Sequence, residues 1–321
     1  MNILVTGGSG FIGRAVLKKL LENKDSKIIA GIRSSSSIDQ ALLSNGNLFI
    51  SEIWDSKINW PRDFAIDIVI HCAAKNDASE NNKSLYEEYK LVNTVATIEL
   101  AKVAALNGVK RFVYISSAKV CGRNNSSVKY ITEEDDPNPM DIYSITKLEA
   151  EQGLLALKSE DINMELVIIR PPLVYGVGVK GSFDLMIKWI GMGIPLPFLR
   201  IDNRRSFISL TNLVNFIDLC SNVTLSRNIS NQVFFISDDE DISTSELIER
   251  IAASLGIKLH LFWVPKILMS IVFKLLGKSN QVENLYYSAP LDISKAKKNL
   301  GWRPENTMQH ELNAMLKRKI I

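Results

Sequence analysis

Short, unbroken apolar runs recur through the first half of this 321-residue chain. "NILVT" (2–6), "KIIAGIR" (27–33), "LFIS" (48–51), "DIVIHCA" (67–73), "RFVYIS" (111–116) and "ELVIIR" (165–170) all read as strands. Their hydrophobicity is continuous rather than alternating, as in a parallel sheet covered on both faces. Between them, Phe11–Glu22 and Tyr86–Asn107 carry apolar positions at helical spacing. Strand and helix alternating in units of ~30 residues predict a doubly wound parallel sheet, the Rossmann type of α/β fold.

After residue 172 the punctuation changes. Gly and Pro break "YGVGVKGS" and "GMGIPLPF" into loops around one short helix. "SFISL" (206–210) predicts a return to the sheet and "TNLVNFIDLC" its helix, while the chain from about 231 onward reads as mostly helical, closing on "LGWRP". The expected organisation is a dinucleotide-binding domain from 1–172 and 205–230, with 173–204 and 231–321 forming a smaller, discontinuous substrate domain.

One late stretch, "LHLFWVPKILMSIVFKLLGK" (259–278), is unusually apolar. Pro265 suits a first helical turn and Gly277 a C-terminal end, which predicts a helix over about 265–276. Lys266, Ser270 and Lys274 fall on one stripe. The expected arrangement packs the apolar sides into the second domain and leaves that stripe in solvent. The rival is a helix lying in a membrane interface, which would bring a sugar on a polyprenyl diphosphate within reach. The segment is too short and too interrupted by charge to span a bilayer.

Composition narrows the partners. The 38 basic and 35 acidic residues give a net charge of +3 with no long run of either sign, so nucleic acid is not an expected partner. Cys72, Cys121 and Cys220 are scattered and the histidines are only His71, His260 and His310, so no metal site is expected. "MNILVTGG" lacks the basic start of a secretion signal and reads as a first strand, which predicts a cytoplasmic protein, at most peripheral at a membrane.

The chemistry begins at "TGGSGFIG" (6–13), between the first strand and the first helix. Gly7, Gly10 and Gly13 allow a tight turn, close approach to a pyrophosphate and close helix–strand packing, although Gly8, Gly10 and Gly13 fit a second known spacing. The helix start adds free N–H groups and the positive end of its dipole. The next strand runs into "GIRSSSS" (31–37). An acidic residue there would bind the free ribose hydroxyl of NAD, and none occurs between Lys27 and Ile38. Arg33 stands there instead, with Ser34 beside it, suited to a 2′-phosphate. That favours NADP(H), with NAD(H) the alternative.

"YSITK" sets Tyr143 and Lys147 four apart in a predicted helix (142–158), on one face. A neighbouring ammonium favours the phenolate, so such a tyrosine can exchange a proton with a substrate hydroxyl. "YISSAKVCG" (114–122) offers Ser116 and Ser117 at a strand end, and "HCAA" (71–74) and "RPPLVYG" (170–176) end two more. With these motifs the chain resembles the extended short-chain dehydrogenase/reductases, in particular the NAD-dependent epimerase/dehydratase group that includes UDP-glucose 4-epimerase-like enzymes. The resemblance implies that Tyr143 is the acid/base, that Lys147 binds the nicotinamide ribose, and that Ser117 bonds the reacting oxygen. It also implies that Gly7, Gly10, Phe11, Ile12 and Gly13 cradle the pyrophosphate, with Ala73, Asn93 and Pro171 along the cofactor. For Ser116, strand-end hydrogen bonding is expected rather than catalysis. A homodimer is the implied assembly.

Family dehydratases follow the catalytic hydroxyl with Asp-Glu, where this chain has Ala118 and Lys119, so dehydration is not expected. Cys121 replaces a tyrosine common in relatives. "RRSFISL" (204–210) resembles the segment that grips a nucleotide diphosphate, with Arg205 as the gripping residue. A further arginine frequent in relatives is missing from "QVENLYYS", which offers Glu283 and Asn284. The resulting expectation is an oxidoreductase acting at carbon 4 of a nucleotide-activated hexose, a UDP-N-acetylhexosamine or its 4-keto-6-deoxy derivative. Arg33 favours a ketoreductase; an NAD-dependent UDP-sugar 4-epimerase is the alternative. A non-catalytic NADP sensor has no need of Tyr143, Lys147 and Ser117.

Overall fold

The computed structural model describes the chain except for residues 33–37, 39, 53–57, 77–82, 123–128, 158–162, 223–228, 276–284 and 318–321, and without the side chains of 40, 41, 52, 83, 272 and 273. Arg33, Ser34, Glu283 and Asn284 therefore lie outside the described residues.

Seven parallel strands form the main sheet: β1 (Asn2–Thr6), β2 (Lys27–Ile32), β3 (Leu48–Glu52), β4 (Ile68–His71), β5 (Arg111–Ile115), β6 (Glu165–Arg170) and a last one at Gln232–Phe235. Their spatial order is 3-2-1-4-5-6 with the last strand beside β6. This is the doubly wound Rossmann arrangement, and its reversal point lies between β1 and β4.

Successive strand residues point to opposite faces, so each continuous apolar run feeds two cores. On one face Ile3, Val5, Ile28, Ile70 and Val113 meet Val16, Leu17 and Leu20 of helix α1 (Phe11–Leu20). On the other, Leu4, Ile29, Val69, Phe112 and Ile168 join a second cluster. That cluster is closed by α3 (Ala96–Leu106) and α4 (Ile142–Leu157); a π-helical turn at Leu91–Val95 joins α3 to the preceding helix α2 (Lys83–Lys90).

Past β6, Pro171 and Pro172 supply no amide donors, and the chain leaves the main sheet. Strand β7 (Leu173–Tyr175) pairs instead with β8 (Arg205–Ser209). The predicted return of "SFISL" to the main sheet is thus corrected, because β8 belongs to a separate three-stranded sheet with β7 and β10 (Asp241–Ile242). The main sheet's last strand, β9 (Gln232–Phe235), falls in the stretch read as mostly helical. Its apolar run is as strand-like as those before it, and β6 supplies its ladder partners.

A third core gathers Phe183 and Ile187 of α5 (Ser182–Gly191), Leu247 and Ile251 of α7 (Thr244–Leu255), and Met308 and Leu312 of α10 (Met308–Lys317). Tyr175 joins it to the small sheet, donating its hydroxyl to Asp238 at 2.6 Å. Asp238 also accepts from the Ser209 amide and from Asn212 of α6 (Leu210–Ser221). Burial pushes the Asp238 carboxyl up to about 6 against these donors.

The apolar helix α8 (Lys266–Leu275) forms as expected, but the packing prediction is corrected. Of its described side chains Met269 alone is buried, while Ile267, Leu268, Ile271 and Leu275 are exposed. The helix touches the third core along one narrow edge, so most of its apolar arc faces outward. A further helix, α9 (Ser294–Leu300), ends at Gly301 in the left-handed region, φ 62°, in the predicted "LGWRP" turn.

One buried ion ties the main sheet to its helical layer. Arg111 in β5 donates twice to Glu165 of β6, at 2.8 and 2.6 Å, and to the Cys220 and Asn222 carbonyls at the end of α6, both at 2.7 Å. Arg111→Met leaves three acceptors without their donor, an expected loss of ~3 kcal/mol of stability. Urea unfolding of the two proteins measures it; a loss under ~1 kcal/mol would show that this cluster is not a structural tie.

Candidate active site

The glycine turn opens onto the end of β1. Gly7 has φ +71°, and a Cβ there would stand 2.7 Å from the Ala73 amide nitrogen. A Cβ on Gly13 would meet the Gly7 carbonyl oxygen at 2.2 Å. Gly10 caps α1 without any side chain over the helix start. The first-turn N–H groups of Phe11, Ile12 and Gly13 therefore face outward with no intrahelical acceptor. Such a cradle fits an anionic pyrophosphate, with Ala73 from the β4 exit as its wall. Of the two glycine spacings, Gly7 with its positive φ carries the tight turn; an added Cβ on Gly8 would meet side chains rather than backbone, Leu17 at 2.7 Å and Ala30 at 3.6 Å.

Behind the cradle runs a string of buried polar groups that sequence reading missed. Thr6 donates from Oγ1 to His71 Nδ1 at 2.6 Å, and these two are register partners on β1 and β4. His71 Nε2 then bonds Thr97 Oγ1 at 2.9 Å, and Thr97 donates to the Asn93 carbonyl at 2.7 Å. Because Thr97 spends its proton on that carbonyl, His71 is the donor to Thr97 and the acceptor from Thr6. Burial, with the Lys147 charge adding to it, drives the His71 pKa down to about 3.

Asn93 is fully buried on the π-helical turn, a local distortion frequent at functional sites. Its carboxamide accepts from the Lys75 amide at 2.7 Å and donates to the Lys75 carbonyl and to Thr146 Oγ1, both at 3.1 Å. Asn93 thereby clamps the segment after β4 to helix α4.

The predicted pair of Tyr143 and Lys147 lies on the first turns of α4. Lys147 is buried, donates to the Ile115 carbonyl at 2.6 Å, and sits 4.1 Å from the Tyr114 ring centroid. Burial drives its pKa down to about 7, opposed by Glu151 and Cys72. Burial, then the Asp141 carboxylate and Tyr89, push the Tyr143 phenol above its ordinary value. Ser117 lies two residues past the end of β5 and caps the 3-10 turn Ala118–Cys121, accepting from the Lys119 amide at 3.2 Å. Lys119 pairs with Asp141 at 3.2 Å and lies 5.8 Å from the Tyr143 ring, which brings Ser117's turn against the start of α4. Pro171 anchors the same turn, its carbonyl accepting from Ala118 at 2.9 Å.

Ser116 makes the expected strand-end bond through its backbone, N–H to the Ile169 carbonyl at 2.8 Å. Its hydroxyl and that of Tyr114 are buried with no hydrogen-bond partner among the described residues, which leaves donors at the strand end beside Lys147. One turn past Lys147, Glu151 takes a forked bond from Arg170, Nη2 to Oε2 at 2.6 Å and Nε to Oε1 at 3.0 Å. The Arg170–Glu151 pair was also not foreseen, although Arg170 opens the noted "RPPLVYG". Arg205 stands apart, in the small sheet, stacked 4.5 Å from the Tyr287 ring and 5.3 Å from that of Phe207.

A glycine cradle at the β1 exit, with Tyr143 and Lys147 on the first turns of α4 near the β5 exit, is the arrangement of a dinucleotide-binding enzyme of the short-chain dehydrogenase type. Residues 3–226 match the NAD dependent epimerase/dehydratase family, and the chain belongs to it. A UDP-glucose 4-epimerase from Vibrio cholerae is 38% identical over 318 residues, covering 96% of this chain and 92% of that protein. A dTDP-4-dehydro-6-deoxyglucose reductase from Escherichia coli is 24% identical over 98% of this chain and 96% of that one. Among solved structures, a UDP-glucuronic acid 4-epimerase from Bacillus cereus in complex with NAD superposes with a TM-score of 0.79 at 22% identity, covering 99% of each chain. The chain is thus an NAD(P)-dependent enzyme of this family.

The depressed His71 gives a pH signature. An unfolded chain takes up a proton at this residue below its ordinary pKa of 6.5, and the native protein refuses it until about 3. Native stability therefore falls as pH drops through that window, by up to ~1.4 kcal/mol per pH unit from this group. His71→Gln, which keeps one donor and one acceptor, removes this part of the slope. Thermal melts from pH 7 to 4 compare the two proteins; parallel curves would rule out His71 as the source.

Proposed function

We propose that this enzyme is a 4-epimerase of a UDP-activated hexose, a UDP-glucose or UDP-N-acetylhexosamine. What carries the reading is the Tyr143–Lys147 pair beside Ser117, in a chain 38% identical to a UDP-glucose 4-epimerase over 96% of its length. Bound NAD(P) supplies reversible hydride transfer at carbon 4 of the sugar. Tyr143 takes the proton of the 4-hydroxyl at its Oη and returns it after the opposite face of the keto sugar is presented. Lys147 holds the nicotinamide ribose, and its charge lowers the cost of the Tyr143 phenolate. Ser117 hydrogen-bonds the reacting oxygen and steadies it between the two protonation states. Arg205, held by stacking on Tyr287 and Phe207, grips the substrate diphosphate. Ala118 and Lys119 leave no second acid/base pair beside Ser117, which argues against dehydration.

The ketoreductase favoured by the sequence becomes the second reading. Arg33 and Ser34, with no carboxylate between Lys27 and Ile38, support it through a preference for NADP(H). A reductase draws on exchangeable NADPH, whereas an epimerase regains the hydride it removes.

Incubation with UDP-glucose, UDP-GlcNAc and a UDP-4-keto-6-deoxyhexosamine, with and without NADPH, separates the two. The expected outcome is interconversion of a 4-epimer pair without net cofactor oxidation; NADPH consumption on the keto sugar alone would make the enzyme a reductase. Tyr143→Phe is expected to lower turnover at least ~100-fold with cofactor affinity nearly unchanged. Lys147→Met is expected to impair both, and a Tyr143→Phe enzyme of near-normal rate would remove Tyr143 from the chemistry.

For the cofactor, dissociation constants of NADPH and NADH are measured in wild type and Arg33→Asp. Arg33 as the 2′-phosphate ligand requires tighter NADPH binding in wild type and a reversed order in the variant. Equal or better NADH binding by wild type would refute that role.

A further inference from the structure

Helix α8 and the segment before it form an exposed apolar ridge. Ile267, Ile271 and Leu275 fall four apart on one stripe with Leu268 beside it, while Met269 faces the protein. Ile267 is 74% exposed and Leu275 83%, unusual for aliphatic side chains on one helix. The preceding segment extends the ridge with exposed Phe262 and Trp263. It pairs with the loop after α5: the Phe262 amide donates to the Leu196 carbonyl at 3.0 Å and the Leu199 amide to the Phe262 carbonyl at 3.2 Å. Exposed Ile194 and Leu199 belong to that same loop. Contiguous apolar surface of this kind marks an interaction site.

Charge selects the partner. Residues 257–282 contain Lys258, Lys266, Lys274 and Lys278 and no Asp or Glu. Lys258, Lys266 and Lys274 are exposed, the last two on the stripe adjoining Ile267 and Ile271. A symmetric contact with a second copy would bring like-charged lysines together, with no carboxylate on the segment to pair them. An anionic lipid surface satisfies both features at once, taking the aliphatic stripe among its acyl chains and the lysines at its headgroups. Trp263, at the N-terminal end of the ridge, suits the boundary between the two. At ten residues the helix is about 15 Å long and can lie in the interface but not cross it.

We propose that the α8 ridge, from Phe262 to Leu275, is a docking surface for anionic membrane lipid. Lys266 lies 5.2 Å from the Tyr286 ring and Arg205 4.5 Å from that of Tyr287, so adjacent tyrosines connect the docked helix to the small sheet.

The test uses the full chain with sedimented vesicles of phosphatidylethanolamine and phosphatidylglycerol, and with phosphatidylcholine alone as the comparison. The expected result is at least tenfold stronger partition onto the anionic vesicles, weakened by salt, with tryptophan quenching by brominated acyl chains that Trp263→Phe diminishes. Ile267→Glu/Ile271→Glu should reduce the partition at least tenfold while the thermal melt and cofactor binding stay unchanged. Failure to bind anionic vesicles, or binding untouched by the double substitution, would overturn the proposal. So would a dimer that falls apart on the same substitution without any vesicle binding, which would make the ridge a contact between copies.

Discussion

An ammonium group buried beside the sheet is the constraint around which the site is arranged. Removing Lys147 from water costs several kcal/mol unless local groups replace its hydration. Three groups do so: the Ile115 carbonyl, the face of Tyr114, and the carboxylate of Glu151 one helical turn away. Each is fixed by something deeper. Ile115 is laddered to Ile169, Tyr114 stacks on His71 at 5.8 Å, and Glu151 is forked by Arg170. Lys147, and Tyr143 one turn before it, therefore take their positions from sheet register and a buried ion pair rather than from surface loops. In the free protein, burial, with Asp141 and Tyr89 adding to it, raises the Tyr143 pKa and keeps the phenol protonated. Positive charge brought beside Tyr143 moves its pKa back down.

The parts of this site that the sequence disclosed are those encoded by local spacing. Gly7, Gly10 and Gly13 fall within one turn, and Tyr143 and Lys147 within one helical repeat, so chain order alone reveals them. The supports were invisible for the opposite reason. His71 and Thr97 are 26 residues apart and Glu151 and Arg170 are 19 apart, with the partner in each case chosen by tertiary packing. A histidine closing an apolar strand was the one available sign, since a buried imidazole must find both a donor and an acceptor. Arg33 is the converse case: a residue legible from its position, whose conformation lies outside the described residues.

Fold reading succeeded and failed along the same line. Continuous apolar runs identified the parallel strands because burial on both faces leaves no polar alternation. The same pattern says nothing about which sheet a run joins. "SFISL" pairs with β7 because Pro171 and Pro172 have already carried the chain off the main sheet, and β9 then takes the vacated edge beside β6. Tyr175 marks that departure. Its motif was plain in sequence, but its role, a hydroxyl donated to a buried Asp238 that also holds β8 and α6, depends on an acid 63 positions later.

Helix α8 shows where hydrophobicity as a guide to burial stops. Apolar residues tend inward, yet apolar atoms still make up much of any folded surface, so composition alone cannot turn a helix toward its core. Here the third core is already filled by α5, α7 and α10, and Met269 occupies what room is left. A mere packing remnant would carry mixed charge at its margins, as most exposed helices do. This one carries lysines alone, on a stripe immediately beside the exposed isoleucines. Like charge along the edge of an apolar face discourages self-association while leaving the face open to an anionic surface, and that combination is what separates a binding ridge from an unfinished core.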